Sequence, residues 1–215
     1  IKFVLTASTL PALSAVAFYV AQVRARLLQR KAALREALAK LEQVAMRDEL
    51  TGLYNRRHMQ AVLEQQMLRQ QRSGEGFCLA IIDLDHFKQI NDRLGHQAGD
   101  EVLSTFARVA SEVMRQTDFL ARWGGEEFLL MFTAPDPGTP GVEIALGRLK
   151  QALARTRWPQ DITVTFSAGV TQHPLDEPLH ATLERADRAL YDAKAAGRNR
   201  WVTLEATPVA ETAQV

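Results

Sequence analysis

Two pairs of carboxylates stand where predicted strands end. Asp83 and Asp85 close a short apolar run, and Glu126 and Glu127 follow a pair of glycines. If these strands are neighbours, the two pairs meet at one edge of a sheet, where carboxylates can hold Mg²⁺ while substrate phosphates complete its coordination shell. Two such ions can activate a hydroxyl group and stabilise a leaving pyrophosphate. Each acid alone is more often a solvated residue at the end of a strand.

Composition excludes several other chemistries. The 215 residues carry a net charge of +1, so the chain as a whole is not suited to a nucleic acid polymer, and a nucleotide site must come from a local arrangement of charges. The single cysteine, Cys78, permits neither a disulfide within the chain nor a cysteine-rich zinc site. The five histidines lack the close pairing of a metal cluster.

A β-sheet is predicted to position the acidic pairs. The apolar run Phe77–Leu84 has the length of a strand and no alternation, which is typical of a strand in the middle of a sheet. Gly124 and Gly125 join two predicted strands in a hairpin. They also permit close approach of the backbone to a ligand, although a Gly-Gly hairpin alone is common. The other predicted strands are Phe119–Trp123, Glu126–Phe132, Ile162–Thr171 and Arg200–Leu204.

Helices alternate with these strands. Asn55 is a good N-cap residue for the first helix, and Gly197 is suited to the C′ position of the last. The predicted helices run from Arg56 to about Gln71, from Glu101 to Arg115, from the Pro135–Gly141 loop to about Arg155, and from Glu184 to Ala196. Alternating helices and strands with one hairpin predict an α/β sandwich with a mixed sheet, between about residues 47 and 205.

The N-terminal residues have a different character. No charge occurs between Lys2 and Arg24, and about 21 residues of helix span roughly 30 Å, the hydrocarbon core of a bilayer. A transmembrane helix is therefore predicted for residues 1–23, with a signal peptide or a buried helix as alternatives. Basic residues follow, which places the rest of the chain in the cytoplasm; they are Arg24, Arg26, Arg30, Lys31 and Arg35.

Residues 24–46 are rich in strong helix formers and lack glycine and proline. Alternating spacings of three and four predict a short coiled coil of about three heptads, interrupted by Lys31. The seam positions are Leu27, Leu34, Leu38, Leu41 and Ala45. A parallel dimer is favoured over a single amphipathic helix that packs on the next domain. Residues 206–215 are predicted to be a disordered tail.

Several ordered motifs carry a resemblance to a known family. Arg122–Phe128 resembles the signature of the GGDEF family of diguanylate cyclases, in its accepted Glu form, and Asp83–Asp92 resembles the first-strand motif of that family. Further matches are Asp48–Arg57, Gly95–Asp100 and Ala186–Lys194 with Gly197–Asn199. The resemblance covers roughly residues 47–204, and the ordered set is far more specific than any one motif.

The resemblance implies a mixed sheet flanked by helices, similar to the palm of nucleotide polymerases and to adenylyl cyclases. It also implies a reaction in which the 3′-hydroxyl of each of two GTP molecules attacks the α-phosphate of the other. The products are cyclic di-GMP and two pyrophosphates. Because each domain would hold one GTP, the expected enzyme is a homodimer. It is expected at the bacterial inner membrane, with its catalytic domain in the cytoplasm.

Residue roles follow from the same resemblance. Asp83 and Glu126 are expected to bind Mg²⁺ or Mn²⁺, with the Leu84 carbonyl as a third ligand. Lys88 is expected to bind phosphate as a point charge, where an isolated lysine would simply be an exposed helix residue. Glu127 has three open roles: orientation of the second substrate, proton transfer, or structure alone. Phe87, Gly124 and Gly125 are further residues of the expected GTP site.

Four more residues complete the expected GTP site. Lys194 and Arg198 stand one helical turn apart, so they are predicted to share a face and look like further phosphate contacts. Asn91 and Asp100 resemble the pair that reads guanine, because a carboxylate accepts from N1–H and N2–H₂ and adenine lacks that donor pair. Asp100 could instead be an N-cap residue.

Product inhibition is also expected from the resemblance. Arg115 and Asp118 stand at the spacing of the family's inhibitory site, and an arginine can bind phosphate or a guanine edge through two hydrogen bonds. Helix ends often carry such residues, so the pattern alone is weak. In the family a second arginine of that site usually comes from the partner domain, and Arg148 is a candidate for it. The rival functions are a nucleotide receptor or scaffold without turnover and a cyclase that uses ATP, or GTP together with ATP.

Overall fold

The computed structural model describes residues 18–35, 46–133 and 141–206. The chain divides into two compact units, Ile1–Ala45 and Met46–Val215. In the first unit, residues 18–35 form a helix on which Leu27 and Leu34 are exposed. Among the helices that the structure describes, none combines the length and apolar character that crossing a bilayer requires. Residues 1–17 of the predicted membrane helix, residues 36–45 of the predicted coiled coil and residues 207–215 of the predicted tail lie outside the described ranges.

The second unit is built on a six-stranded mixed sheet with the order β1-β3-β4-β2-β5-β6. Strand pairs β1/β3 and β5/β6 are parallel, and the other three pairs are antiparallel. The strands are β1 Tyr54–Asn55, β2 Phe77–Leu84, β3 Phe119–Gly124, β4 Glu127–Thr133, β5 Phe166–His173 and β6 Trp201–Thr203. The predicted mixed sheet is confirmed, and β2 lies inside it as its apolar sequence predicts.

Five α-helices of this unit flank the sheet within the described ranges. They are α1 Arg56–Ser73, α2 Phe87–Leu94, α3 His96–Val113, α4 Gly141–Arg155 and α5 Leu179–Ala195. Asn55 caps α1 as predicted, because its side chain accepts the backbone N–H of His58 at 2.9 Å. A short 3₁₀ helix, Pro159–Asp161, precedes β5.

Alternate residues of β2 enter two separate hydrophobic clusters. Ala80 and Ile82 join a cluster that includes Phe106 of α3 and Leu146 of α4. Leu79 and Ile81 join a second cluster with Met59 of α1 and Leu190 of α5; the two clusters therefore lie on opposite faces of the sheet. Burial on both faces explains why the sequence of β2 has no polar alternation.

The approach of α5 to the sheet depends on Gly169 of β5. A Cβ atom at this position would overlap the carbonyl oxygen of Ala186 and the backbone nitrogen of Leu190. Any side chain here would force α5 away from the sheet. This contact sets the position of the helix that carries Lys194, so it bears directly on the site.

Several predicted boundaries are wrong. Helix α3 begins at His96 rather than Glu101, which places Asp100 inside the helix and removes its expected alternative as an N-cap residue. Helix α5 begins at Leu179, directly after Pro178, rather than at Glu184. Strand β5 begins at Phe166 rather than Ile162. The predicted 135–141 loop lies outside the described residues except for Gly141, the first residue of α4.

Candidate active site

The acidic residues at the ends of β2 and β4 come together. Asp83 pairs with Glu127 in the antiparallel register of these strands. The backbone N–H of Leu84 donates to the carbonyl of Glu126 at 3.3 Å, so Glu126 lies beside the end of β2. Asp83 is only 8% exposed. The predicted meeting of the two acidic signals at one sheet edge is therefore observed for Asp83, Glu126 and Glu127.

Asp85 does not join this group. Its Oδ2 accepts the hydroxyl of Thr165 at 2.7 Å and the backbone N–H of Asn199 at 3.0 Å, and its Oδ1 accepts the hydroxyl of Ser167 at 2.7 Å. The side chain is 4% exposed. The expectation that Asp85 forms an acidic pair with Asp83 is wrong, because its carboxylate is occupied by donors from Thr165, from Ser167 of β5 and from the turn before β6.

A lysine of α5 reaches the acidic group from one face of the sheet. Lys194 Nζ lies 2.8 Å from Asp83 Oδ2. Burial raises the pKa of Glu127, the negative charges of Asp83 and Asp187 raise it further, and Lys194 acts in the opposite direction. Burial also raises the pKa of Asp187, again against Lys194. The site is therefore rich in negative charge, and Lys194 is a cation within it.

Asp187 was not singled out from the sequence, although a signal was available. It stands seven residues before Lys194 on a helix, and two turns of helix return to the same face. The negative charge of Asp187 raises the pKa of Glu127. Helix α5 therefore contributes an acidic and a basic side chain to this part of the site.

Arg122 fixes the Gly-Gly turn. Its Nε and Nη2 donate to the carbonyl of Gly125 at 3.0 and 2.9 Å, and its Nη1 lies 3.2 Å from both carboxylate oxygens of Asp48. Burial acts to raise the pKa of Asp48, but hydrogen bonds from Thr51 and the charge of Arg122 outweigh it and lower that pKa below 3.8. One guanidinium thus ties the motif that contains Asp48 to the Gly-Gly hairpin. The two positions are far apart in sequence, so no local pattern could reveal this link.

The candidate guanine pocket lies where α2 packs on α3. Phe87 and Asn91 stand one turn apart on α2. Within the described residues, Asn91 Oδ1 is buried without a hydrogen-bond partner. Gly99 of α3 leaves room for it, since a Cβ atom there would overlap Asn91 Oδ1 and would lie 3.2 Å from Phe87 Cζ. Asp100 is the next residue of α3 and is exposed, so a carboxylate directly follows the glycine that makes room for the Asn91 amide.

The basic residues have different settings. Lys88 is exposed in the first turn of α2, as predicted. Arg198 does not share a helical face with Lys194, because α5 ends at Ala195 and Gly197 has a φ of 107°. The prediction that these two residues share a helical face is therefore wrong. Arg198 lies in a turn after α5, and its backbone N–H donates to the carbonyl of Ala193 at 3.1 Å.

Arg115 and Asp118 form a compact turn between α3 and β3. The backbone N–H of Arg115 donates to Asp118 Oδ2 at 3.1 Å. Burial raises the pKa of Asp118, while that hydrogen bond and the charge of Arg115 oppose the change. The residues between them, Gln116 and Thr117, line a cavity of about 530 Å³ that Arg69 of α1 also lines.

Arg148 is exposed on α4. Helices α4 and α1 belong to the clusters on opposite faces of the sheet. Within one chain, the fold brings Arg69 to the cavity beside Thr117, and Arg148 stays a prediction for the partner domain.

The donor set fits a hard divalent cation. The described residues contain no group of three or more His, Cys, Asp or Glu side chains that could hold a metal. Asp83 and Glu126 supply two carboxylates, and Leu84 adds a carbonyl oxygen. Mg²⁺ usually binds one or two carboxylates and takes its remaining ligands from water and substrate phosphates. The ion pair of Asp83 with Lys194 indicates that this carboxylate accepts a cationic partner.

These features agree with comparisons to known proteins. The sequence profile of the family described as "Diguanylate cyclase, GGDEF domain" matches residues 45–200. The chain is 44% identical over 161 residues to the diguanylate cyclase DgcP of Pseudomonas aeruginosa, covering 74% of this chain and 24% of that protein. It is 38% identical over 174 residues to the response regulator PleD of Caulobacter vibrioides, covering 77% of this chain and 37% of that protein. The chain spans less than half the length of such curated relatives.

Solved structures give the same result. The coiled coil and GGDEF domain of DgcB from Caulobacter crescentus, in complex with c-di-GMP, has a TM-score of 0.73 at 32% identity and covers 85% of this chain and 99% of that one. Diguanylate cyclase SiaD of Pseudomonas aeruginosa, in complex with its activator SiaC, has a TM-score of 0.72 at 35% identity, with 95% and 81% covered. The chain belongs to the GGDEF-domain family of diguanylate cyclases.

Proposed function

We propose that this chain is an active diguanylate cyclase that joins two GTP molecules into cyclic di-GMP and releases two pyrophosphates. One observation carries the proposal: Asp83, Glu126 and Glu127 meet at one sheet edge, and Lys194 lies 2.8 Å from Asp83. A receptor without turnover needs none of these acids, because binding a polyanionic nucleotide is weakened by nearby negative charge. The acids are useful when a metal ion takes part in the chemistry.

The metal ligands would be the carboxylates of Asp83 and Glu126 and the carbonyl of Leu84. When bound, Mg²⁺ or Mn²⁺ supplies Lewis acidity that lowers the pKa of a hydroxyl group and stabilises charge on phosphate oxygens. Lys194 partners Asp83 in the chain alone and would contact the phosphates of a nucleotide bound beside Asp83. Lys88 adds a second point charge from the first turn of α2.

Guanine would be read by Asn91 and Asp100. The buried Oδ1 of Asn91 lacks a partner within the described residues and can accept a hydrogen bond from the base. The exposed carboxylate of Asp100 can accept from guanine N1–H and N2–H₂. Adenine cannot supply these two donors, so the pocket is expected to prefer GTP to ATP.

The active form would be a homodimer in which two domains face each other, each with one GTP. A parallel coiled coil across residues 24–46 would raise the effective concentration of the second domain. Membrane attachment through residues 1–23 at the bacterial inner membrane remains part of this proposal, with the catalytic domain in the cytoplasm. A signal that changes the packing of the N-terminal helices would then control the geometry of the dimer. If the isolated catalytic domain were as active as the full chain at low protein concentration, that control would be refuted.

Product inhibition would use the turn at Arg115 and Asp118. The adjoining cavity of about 530 Å³ supports this proposal, because Arg69 lines it beside Gln116 and Thr117. Two arginines and a carboxylate can bind phosphates and guanine edges. Arg69→Ala should then weaken inhibition by cyclic di-GMP and leave the initial rate unchanged, and an unchanged inhibition constant would exclude Arg69 from the site.

The first experiment is incubation of the purified chain with GTP and Mg²⁺, followed by chromatography for cyclic di-GMP. Glu126→Ala should abolish the product, whereas the exposed Glu75→Ala controls for loss of a negative charge elsewhere. A parallel reaction with ATP tests the base preference, and Glu127→Gln tests whether the charge of Glu127 is used. No product from a folded, dimeric sample would favour the receptor function instead.

A further inference from the structure

The turn that carries Arg198 has an uncommon backbone. Gly197, Arg198 and Asn199 have φ angles of 107°, 61° and 49°, so three consecutive residues are left-handed. For residues other than glycine this conformation is unfavourable, and it persists only where neighbouring groups hold it in place. The structure identifies those neighbouring groups.

Asp85 holds the turn from inside the domain. Its Oδ2 accepts the backbone N–H of Asn199 at 3.0 Å and the hydroxyl of Thr165 at 2.7 Å. Its Oδ1 accepts the hydroxyl of Ser167 at 2.7 Å. Hydrogen bonds to an ionised carboxylate are stronger than those between neutral groups. The peptide group before Asn199 is thereby fixed to β5.

A second group holds the turn from outside. Lys150 Nζ donates to the carbonyl of Asn199 at 2.7 Å, so the peptide group after Asn199 is fixed as well. Among the described residues, the guanidinium of Arg198 makes no hydrogen bond or ion pair, and its side chain is exposed. A guanidinium on a fixed backbone loses less conformational freedom when it binds a ligand, which increases affinity.

The turn lies at the same end of β2 as the candidate metal ligands. Asp85 follows Asp83 by two residues, and Lys194, which contacts Asp83, precedes the turn by three residues. We propose that Asp85 is a positioning residue for Arg198. By holding the N–H of Asn199, Asp85 keeps the turn left-handed and directs Arg198 toward the phosphates of GTP. Asp85 itself contacts neither nucleotide nor metal. This inference rests on the proposed function, since it requires Arg198 to contact GTP.

The test is a double-mutant cycle between Asp85→Ala and Arg198→Ala, with KM for GTP, kcat and Tm measured for each variant of the full chain. Asp85→Ala is expected to raise KM about tenfold when Arg198 is present. It should leave KM unchanged when Arg198 is already alanine, because both substitutions remove the same contact, that of Arg198 with GTP. The fall in Tm should be the same in both backgrounds. Effects on KM that multiply in the double variant would overturn the proposal.

Two variants of the same hydrogen-bond set serve as controls. Ser167→Ala removes the bond to Oδ1 and leaves the contact of Oδ2 with Asn199, so it should lower Tm without changing KM. An equal rise in KM for Ser167→Ala would contradict a specific role for the bond to Asn199. Asp85→Asn can still present an acceptor oxygen to Asn199, and its KM is expected within about twofold of the native value; a tenfold rise would count against the proposal.

If Asp85→Ala does not fold, the cycle is repeated with Lys150→Met, which loosens the same turn from the surface. Coupling to Arg198→Ala is again expected, and independent effects would again overturn the proposal. The proposed function fails separately. It fails if the native chain makes no cyclic di-GMP from GTP. If Arg198→Ala alone leaves KM for GTP unchanged, then Arg198 does not bind the nucleotide and the positioning role is wrong, while the proposed function still stands. If Arg198→Ala raises KM but Asp85→Ala acts independently, only the positioning role is wrong.

Discussion

Gly99→Ala adds one methyl group where α2 packs on α3. The new Cβ atom would overlap Asn91 Oδ1, lie 3.0 Å from Asn91 Cγ and lie 3.2 Å from Phe87 Cζ. The amide of Asn91 must therefore turn away from the position in which it can meet guanine. The variant then loses the buried hydrogen bond between Asn91 and guanine, which costs about 1–3 kcal/mol. This cost corresponds to a rise in KM for GTP of about 5- to 150-fold.

Helix propensity acts in the opposite direction. Alanine in a helix is favoured over glycine by about 0.5–1 kcal/mol, so the variant should not be strongly destabilised. Gly147 of α4 provides a matched control, since its Cβ would meet only Trp201 Cη2, at 3.9 Å. Gly147→Ala should gain the same propensity and leave KM unchanged.

The assay measures pyrophosphate release with GTP and with ATP, and a thermal melt of each variant. We expect Gly99→Ala to have a raised KM for GTP, a smaller preference for GTP over ATP and a Tm close to the native value. A KM for Gly99→Ala equal to that of Gly147→Ala would refute the assignment of Asn91 to the base. A fall in Tm of many degrees would instead indicate that α2 and α3 have separated.

Three further outcomes are expected from the structure. Arg122→Lys loses the fork of hydrogen bonds to the Gly125 carbonyl and should lower kcat about tenfold, measured at saturating GTP, with little change in Tm. Gly169→Ala must separate α5 from β5 and should cost about 3 kcal/mol of unfolding free energy in urea titration; an unchanged midpoint would show that the helix can move freely. Hydrogen bonds from Arg185 lower the pKa of Glu177 below 4.5, so this carboxylate stabilises the fold above pH 4.5 and loses that effect as the pH falls through the lowered pKa. Glu177→Gln should therefore lower Tm at pH 7 and flatten the acidic side of the Tm profile, and a profile that keeps its native slope would contradict this.

The parts of the fold that were predicted well have local signals. The bounds of β2 follow from an unbroken apolar run after Gly76, and the hairpin follows from Gly124 and Gly125. Helix starts were predicted less well. The start of α5 lies five residues before the predicted Glu184, because Leu179, Ala181 and Leu183 alternate with polar residues and so show no helical period.

The geometry of the candidate site was predictable where its residues end neighbouring strands, as at Asp83 and Glu126. It was not predictable where contacts join residues far apart in sequence. Asp85 and Asn199 are 114 residues apart, and Arg122 and Asp48 are 74 apart. Such contacts have no periodicity, so composition and spacing cannot distinguish a buried carboxylate that holds a turn from one that faces a ligand.

The position of β2 has a consequence for biosynthesis. This strand leaves the ribosome before either of its neighbours, because Phe77 pairs with Thr133 on one side and with His173 on the other. Both of its edges stay open until those partners have been made, and an apolar strand with open edges is prone to intermolecular pairing. Nascent chains that stop before β5 should therefore need chaperones and should aggregate when released, rather than collect as a smaller folded domain. Ribosome stalling between β4 and β5 would thus expose the cell to misfolded intermediates, and the rate of elongation through this region is expected to influence the yield of native protein.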